Sequence, residues 1–213
     1  LRAGLVQVTV VSAMIFSGIS GSAVADCSAL GKMLIPAMTR AGYQRPFAAA
    51  VVAAAAVLGP IIPPSGLMIL YAFVMNQSVG ALFAAGMLPG AVFGGAMMLT
   101  AAVFSKKWNL PQEERKATWP ERWTATKGAV WTLLMPVILL GGIFSGYFTP
   151  TEAAVIAVIY ALVIGMFVLR TVKLSDLPGL LYETALGTGV VHFMVGAAVA
   201  FSTVVSISGM PQQ

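Results

Sequence analysis

Apolar residues in this chain gather into long runs separated by short polar breaks. The runs Ala81 to Phe104, Ala129 to Tyr147, Ala153 to Leu169 and Leu180 to about Ile207 are each long enough for a helix that crosses a hydrocarbon core about 30 Å thick. Phe47 to Met75 is equally apolar, but the stretch LGPIIPPSG from Leu58 to Gly66 carries three prolines and two glycines. No α-helix continues through such a stretch, so the pattern predicts a broken helix. Pro89 and Pro136 stand singly inside regular runs and predict kinks, which membrane helices tolerate where neighbours satisfy the freed carbonyls.

The first forty residues give two shorter apolar arms, Leu5 to Ile19 and Ala23 to Met38. At a rise of 1.5 Å per residue each arm reaches only roughly 22 to 24 Å, short of a comfortable crossing. Arg2 and Arg40 flank the pair. The arms therefore predict a re-entrant hairpin that enters from the cytoplasmic side and turns within SGISGSAVAD, Ser17 to Asp26. Lys32 fits this poorly unless it snorkels or faces an aqueous cleft; one ordinary helix with a glycine-rich end is the alternative.

Between Ser105 and Lys127 the pattern turns polar, with Lys106, Lys107, Arg115, Lys116, Arg122 and Lys127 set against Glu113, Glu114 and Glu121. This excess of basic residues places the segment in the cytoplasm. Trp108, Trp119 and Trp123 suit a segment lying at headgroup level. Counting spans outward from it puts Arg40, Arg45, Arg170 and Lys173 on the same side, and the turns at Asn76 to Gly80 and Thr149 to Glu152 on the other. Three regions follow. Residues 1–104 hold the hairpin, the broken helix and the helix 81–104, residues 105–127 form the cytoplasmic loop, and residues 128–213 begin a second half.

Composition agrees with a lipid-buried chain. Hydrophobic residues make up 59% and charged residues 9%, against about 25% charged in soluble domains, and the mean hydropathy is +0.91. The net charge of +5 resides in short loops, which reads as topology and argues against nucleic-acid binding. Cys27 is the single cysteine, so there is no internal disulfide and no CxxC motif. His192 is likewise single and has no ligating neighbour in sequence, which argues against a transition-metal site. The twelve methionines read as packing or lipid-facing residues. Neither GxSxG, HExxH nor a phosphate loop is present, and no enzyme is expected. Leu1 starts in mid-pattern and Gln212 and Gln213 follow an apolar stretch, so the chain reads as part of a longer polypeptide.

Two interruptions carry the candidate chemistry. Ser17, Ser20, Gly21 and Ser22 cluster at the hairpin turn, with Asp26 one helical turn on; hydroxyls and freed carbonyls are the hard oxygen ligands an alkali cation needs. Small residues packing helices closely are the alternative, and this segment alone does not choose. In Gly59 to Ser65 the prolines remove amide donors, which predicts free oxygens around Ala56 to Pro60, while the following half-helix offers amides at its start. Gly59, Pro60, Ile62 and Pro63 are thus candidate ion-site residues together with Ser20, Gly21 and Ser22. Ser17, Asp26, Pro64 and Ser65 support the ion site or bind substrate. Asp26 is costly to bury and is a functional candidate for that reason; capping or pairing with Lys32 are its other readings. Thr149, Thr151 and Glu152 are candidates at the next helix start, where structural capping is an equal reading.

The segments GSAVADCSALGKMLIPAMTRAGY, GPIIPPS, SVGALFAAGMLPG and PVILLGGIFSGYFTPTEAAVIAVIYAL together resemble, in order and spacing, signatures of the large membrane subunit of tripartite ATP-independent periplasmic (TRAP) transporters. The resemblance implies an all-α polytopic protein on an elevator-type plan. It also implies a permease of the bacterial inner membrane that uses sodium as coupling ion and takes up organic acids, often carboxylates. A periplasmic binding protein would deliver them, and a small membrane subunit would be a further partner. It places a first sodium site at Ser20, Gly21 and Ser22 against Gly59 to Ser65. A second hairpin and second broken helix of the family are missing from these residues, as are its leading helices, which puts independent transport by this piece in doubt. A channel or other ion-coupled permease, or an inactive truncated fragment, are the competing readings.

Overall fold

The computed structural model describes residues 3–108, 110–111 and 118–208, and helices joined by turns, with no strand, make up the described residues. Glu113, Glu114, Arg115 and Lys116 of the polar segment, with Arg2, lie outside the described residues. The helices are α1 (Gly4–Ser20), α2 (Ala23–Arg40), α3 (Arg45–Ala56), α4 (Gly66–Val74), α5 (Val79–Phe104), α6 (Trp119–Phe144), α7 (Pro150–Val163) and α8 (Leu177–Ile207). A π-helical turn, Ile164–Val168, extends α7, and a short 3₁₀ turn, Leu174–Asp176, leads into α8.

Four helical stretches, Val79–Phe104, Trp119–Phe144, Pro150–Val168 and Leu174–Ile207, have the length and apolar character to cross a membrane. Protein covers little of them: in the most apolar window, 17%, 11%, 22% and 0% of the residues are buried. Surfaces this apolar and this bare need a bilayer as solvent. The protein is a multi-pass membrane protein.

One departure from the sequence reading concerns α6, which starts at Trp119 rather than near Ala129. Thr118 and Glu121 form a reciprocal capping box, with the Thr118 amide donating to Glu121 Oε2 at 2.8 Å. Its two satisfied donors and a proline in the first turn nucleate a helix across charged residues that look like loop. The chain separates into two compact units, Leu1–Tyr160 and Ala161–Gln213.

In the first unit α1 and α2 form a helical hairpin, and the small residues of α3 let both arms approach it. Val10, Ala13, Leu30, Val52, Ala55 and Leu58 make one buried cluster. Ala3, Val6, Met38, Tyr43, Ala48 and Ala101 make another. A third joins Leu139 of α6 to Ala153 and Ala157 of α7. Helix α5 lies against the same assembly through glycines spaced one turn apart. A Cβ at Gly86 would meet Met68 Cε and, at 2.7 Å, the carbonyl oxygen of Ile61; one at Gly90 would meet Ile62 Cγ1 at 2.5 Å, and one at Gly94 would meet Met14 Sδ at 2.6 Å.

Candidate functional site

The hairpin turns on two residues. Gly21 has φ +59°, a left-handed conformation that suits glycine, and its amide donates to Ser17 O at 3.1 Å, ending α1. Ser22 is extended, and its hydroxyl accepts the amide of Ala25 at 3.4 Å, starting α2. The second interruption lies between α3 and α4. After Ala56 the chain makes tight turns, passes the cis bond between Pro63 and Pro64, and restarts at Ser65. The Ser65 hydroxyl accepts from Met68 N at 3.4 Å and donates to Pro60 O at 2.9 Å.

Those tight turns correct one expectation. The oxygens around Ala56 to Pro60 are largely taken: Ala56 O accepts from Gly59 N, Leu58 O from Ile61 N and Ile62 N, and Pro60 O from the Ser65 hydroxyl. Turn formation recaptures carbonyls that helix breakage released, because buried polar groups left unpaired are costly. The carbonyls that reach the hairpin belong instead to Pro63 and Pro64, further along the break. A Cβ at Gly21 would stand 2.5 Å from Pro64 O, 3.1 Å from Ser65 Cα and 3.2 Å from Gly66 N. A Cβ at Gly18 would lie 3.9 Å from Pro63 O and 3.4 Å from Pro136 Cβ.

The two interruptions are therefore in backbone contact. Gly59 completes the meeting from the other side, since a Cβ there would stand 2.7 Å from Asp26 Oδ2 and 3.0 Å from Ala23 N and Ser22 C. Asp26 is fully buried and receives the Ser20 hydroxyl on Oδ1 and the Ser17 hydroxyl on Oδ2 at 3.1 Å. Ser17, Gly21, Pro63 and Ser65 are buried, while Ser20, Ser22, Pro60, Ile62 and Pro64 are half-buried. The side chain of Ile62 packs toward α5 at Gly90, so only its backbone can face an ion. At the start of α4 the amides of Gly66 and Leu67 have no hydrogen-bond partner among the described residues.

Thr149, Thr151 and Glu152 do not join this cluster by any contact among the described residues. All three are exposed, and the Thr149 amide and hydroxyl both donate to Glu152 Oε2 at 2.8 Å while the Glu152 amide donates to Thr149 Oγ1 at 3.3 Å. That is a cap on α7. Gly18 belongs to the meeting point and went unnamed in the sequence reading; its signal is a glycine inside the hydroxyl-rich run at the end of α1.

A broken helix held against a helical hairpin is a transporter arrangement, and comparison with known proteins is decisive: the family model described as tripartite ATP-independent periplasmic transporter, DctM component, matches residues 1–213. The chain belongs to this family. Among relatives of the DctM-component family, the sialic acid TRAP transporter large permease protein SiaM of Vibrio cholerae is 40% identical over 215 residues, covering 100% of this chain and 49% of its own length. The C4-dicarboxylate TRAP transporter large permease protein DctM of Pseudomonas aeruginosa is 38% identical over 213 residues, with 100% and 49% covered. The ectoine/5-hydroxyectoine TRAP transporter large permease protein UehC of Ruegeria pomeroyi is 38% identical over 213 residues, with 100% and 50% covered. The chain spans about half the length of these curated relatives. The DctM-component family is one of transport permeases and not of enzymes.

Proposed function

We propose that this chain is part of the membrane permease of a sodium-coupled secondary transporter that imports organic acids across the bacterial inner membrane. A periplasmic binding protein hands over the substrate and a small membrane subunit completes the assembly. The α1–α2 hairpin is re-entrant from the cytoplasmic side and belongs to a mobile domain of an elevator-type transporter. Sodium binds where Ser20, Gly21 and Ser22 meet Gly59, Pro60, Ile62 and Pro63, with Pro64 contributing its carbonyl. Ser17, Asp26 and Ser65 support the site.

The observation that carries this reading is the backbone contact of two helix interruptions, Gly21 against Pro64 O and Gly59 against Ser22 and Ala23. Discontinuous helices supply carbonyl oxygens to cations and positive helix ends to anionic substrate groups, in surroundings where water is scarce. The open amides of Gly66 and Leu67 at the start of α4 suit a carboxylate. The relatives are named for C4-dicarboxylates, sialic acid and ectoine, compounds that share a carboxylate group, and this supports organic acids as the substrate class.

The test is uptake in proteoliposomes that hold the full-length permease, its small subunit and its binding protein. Replacing sodium with choline is expected to abolish uptake. Uptake that continues unchanged in choline overturns the coupling.

A further inference from the structure

Asp26 is the single acidic side chain buried among the described residues, and both of its oxygens are engaged by hydroxyls of the opposite hairpin arm. A carboxylate accepts protons in such bonds and has none to give. Ser20 spends its proton on Oδ1 and accepts the Ser22 amide at 3.3 Å, so one lone pair remains on its oxygen. Ser17 shares its proton between Ala13 O at 2.6 Å and Asp26 Oδ2 at 3.1 Å and accepts no hydrogen bond among the described residues. Two hydroxyl oxygens beside the break thus keep lone pairs while their protons are directed elsewhere.

We infer that Asp26 is a positioning residue for the cation site: it draws the Ser20 hydroxyl proton onto its carboxylate and so presents the Ser20 oxygen as a cation ligand, while Ser17 braces the other carboxylate oxygen. The inference rests on the proposed sodium site and gives Asp26 a role through Ser20 rather than as a ligand. A hydroxyl that donates to a carboxylate is a stronger oxygen donor, and its rotation is fixed before the ion arrives; outer-shell partners of this kind are worth about tenfold to a hundredfold in metal affinity. Position supports the same role. Oδ2 fills the place a Cβ would take at Gly59, so the carboxylate is pinned between both arms and the break.

The experiment uses the purified full-length permease in detergent and follows its melting temperature as sodium chloride replaces choline chloride at constant ionic strength. Binding to the folded state raises the melting point with the logarithm of one plus the ratio of sodium concentration to dissociation constant. For Asp26→Asn and Asp26→Ala, the sodium midpoint, which is the concentration that half-fills the site as fitted from this rise, is expected to increase about tenfold or more. In a Ser20→Ala background, Asp26→Asn is expected to add less than it does alone, because one contact serves both residues. A lowered melting point with the sodium midpoint within about twofold of the parent, in either Asp26 variant that melts cooperatively, overturns the inference while leaving the sodium site standing. A parent protein that sodium does not stabilise overturns both.

Discussion

Gly59 touches Asp26 where no side chain fits: a Cβ on the glycine would come within 2.7 Å of the carboxylate and 3.0 Å of the backbone at Ser22 and Ala23. Two serine hydroxyls hold the carboxylate in place, and the other obstacle is backbone, which cannot move aside. Gly59→Ala is therefore expected to part the hairpin turn from the break, at a cost of about 1 to 3 kcal/mol for the overpacked contact. Sodium-dependent uptake should fall much further than the amount of inserted protein, measured by comparing transport rate with protein recovered in the liposomes.

Gly21 combines a left-handed backbone with the closest approach to Pro64 O. Gly21→Ala is expected to destabilise the protein by more than the roughly 1 to 2 kcal/mol that the conformation alone costs a residue with a Cβ, because the new methyl also meets a carbonyl. Ser22→Ala costs the fold the cap on α2, worth about 1 kcal/mol, besides a hydroxyl of the proposed sodium site. Thermal unfolding in detergent should rank the two in that order, and both are expected to weaken the response to sodium.

The glycines of α5 differ in what opposes them. At Gly86 the obstacle includes the Ile61 carbonyl oxygen, which belongs to backbone; at Gly94 it is the thioether of Met14, a flexible end. Gly86→Ala is expected to lower the melting temperature by several degrees and Gly94→Ala to leave it nearly unchanged. Equal effects of the two substitutions would contradict this packing.

Thr149→Ala removes a cap and touches nothing at the hairpin turn. The expected result is a modest fall in melting temperature with the sodium midpoint unmoved. A shifted midpoint would contradict a purely capping role for Thr149.

The broken helix and the hairpin turn were legible because proline and glycine act locally: Pro60, Pro63 and Pro64 stop a helix whatever surrounds them, and Gly21 stands where the chain reverses. The carbonyls that reach the hairpin were not legible. Recapture of Ala56 O, Leu58 O and Pro60 O depends on turns whose form is decided by packing, so the oxygens available to the hairpin shifted to Pro63 and Pro64. The start of α6 shows the reverse case, since Thr118 and Glu121 already stand at capping-box spacing in a segment dominated by its charges. The clasp on Asp26 required the fold, because Ser17 and Ser20 lie on one arm and the carboxylate on the other.

Met68 from α4, Ile62 from the break and Met14 from the hairpin fill the notches that Gly86, Gly90 and Gly94 leave along α5. Sliding α5 past either neighbour would empty notches on one side and drive methyl groups into backbone on the other. The hairpin, the broken helix and α5 are thus keyed together like wards in a lock, a seam that resists the sliding of any one of the three along the others.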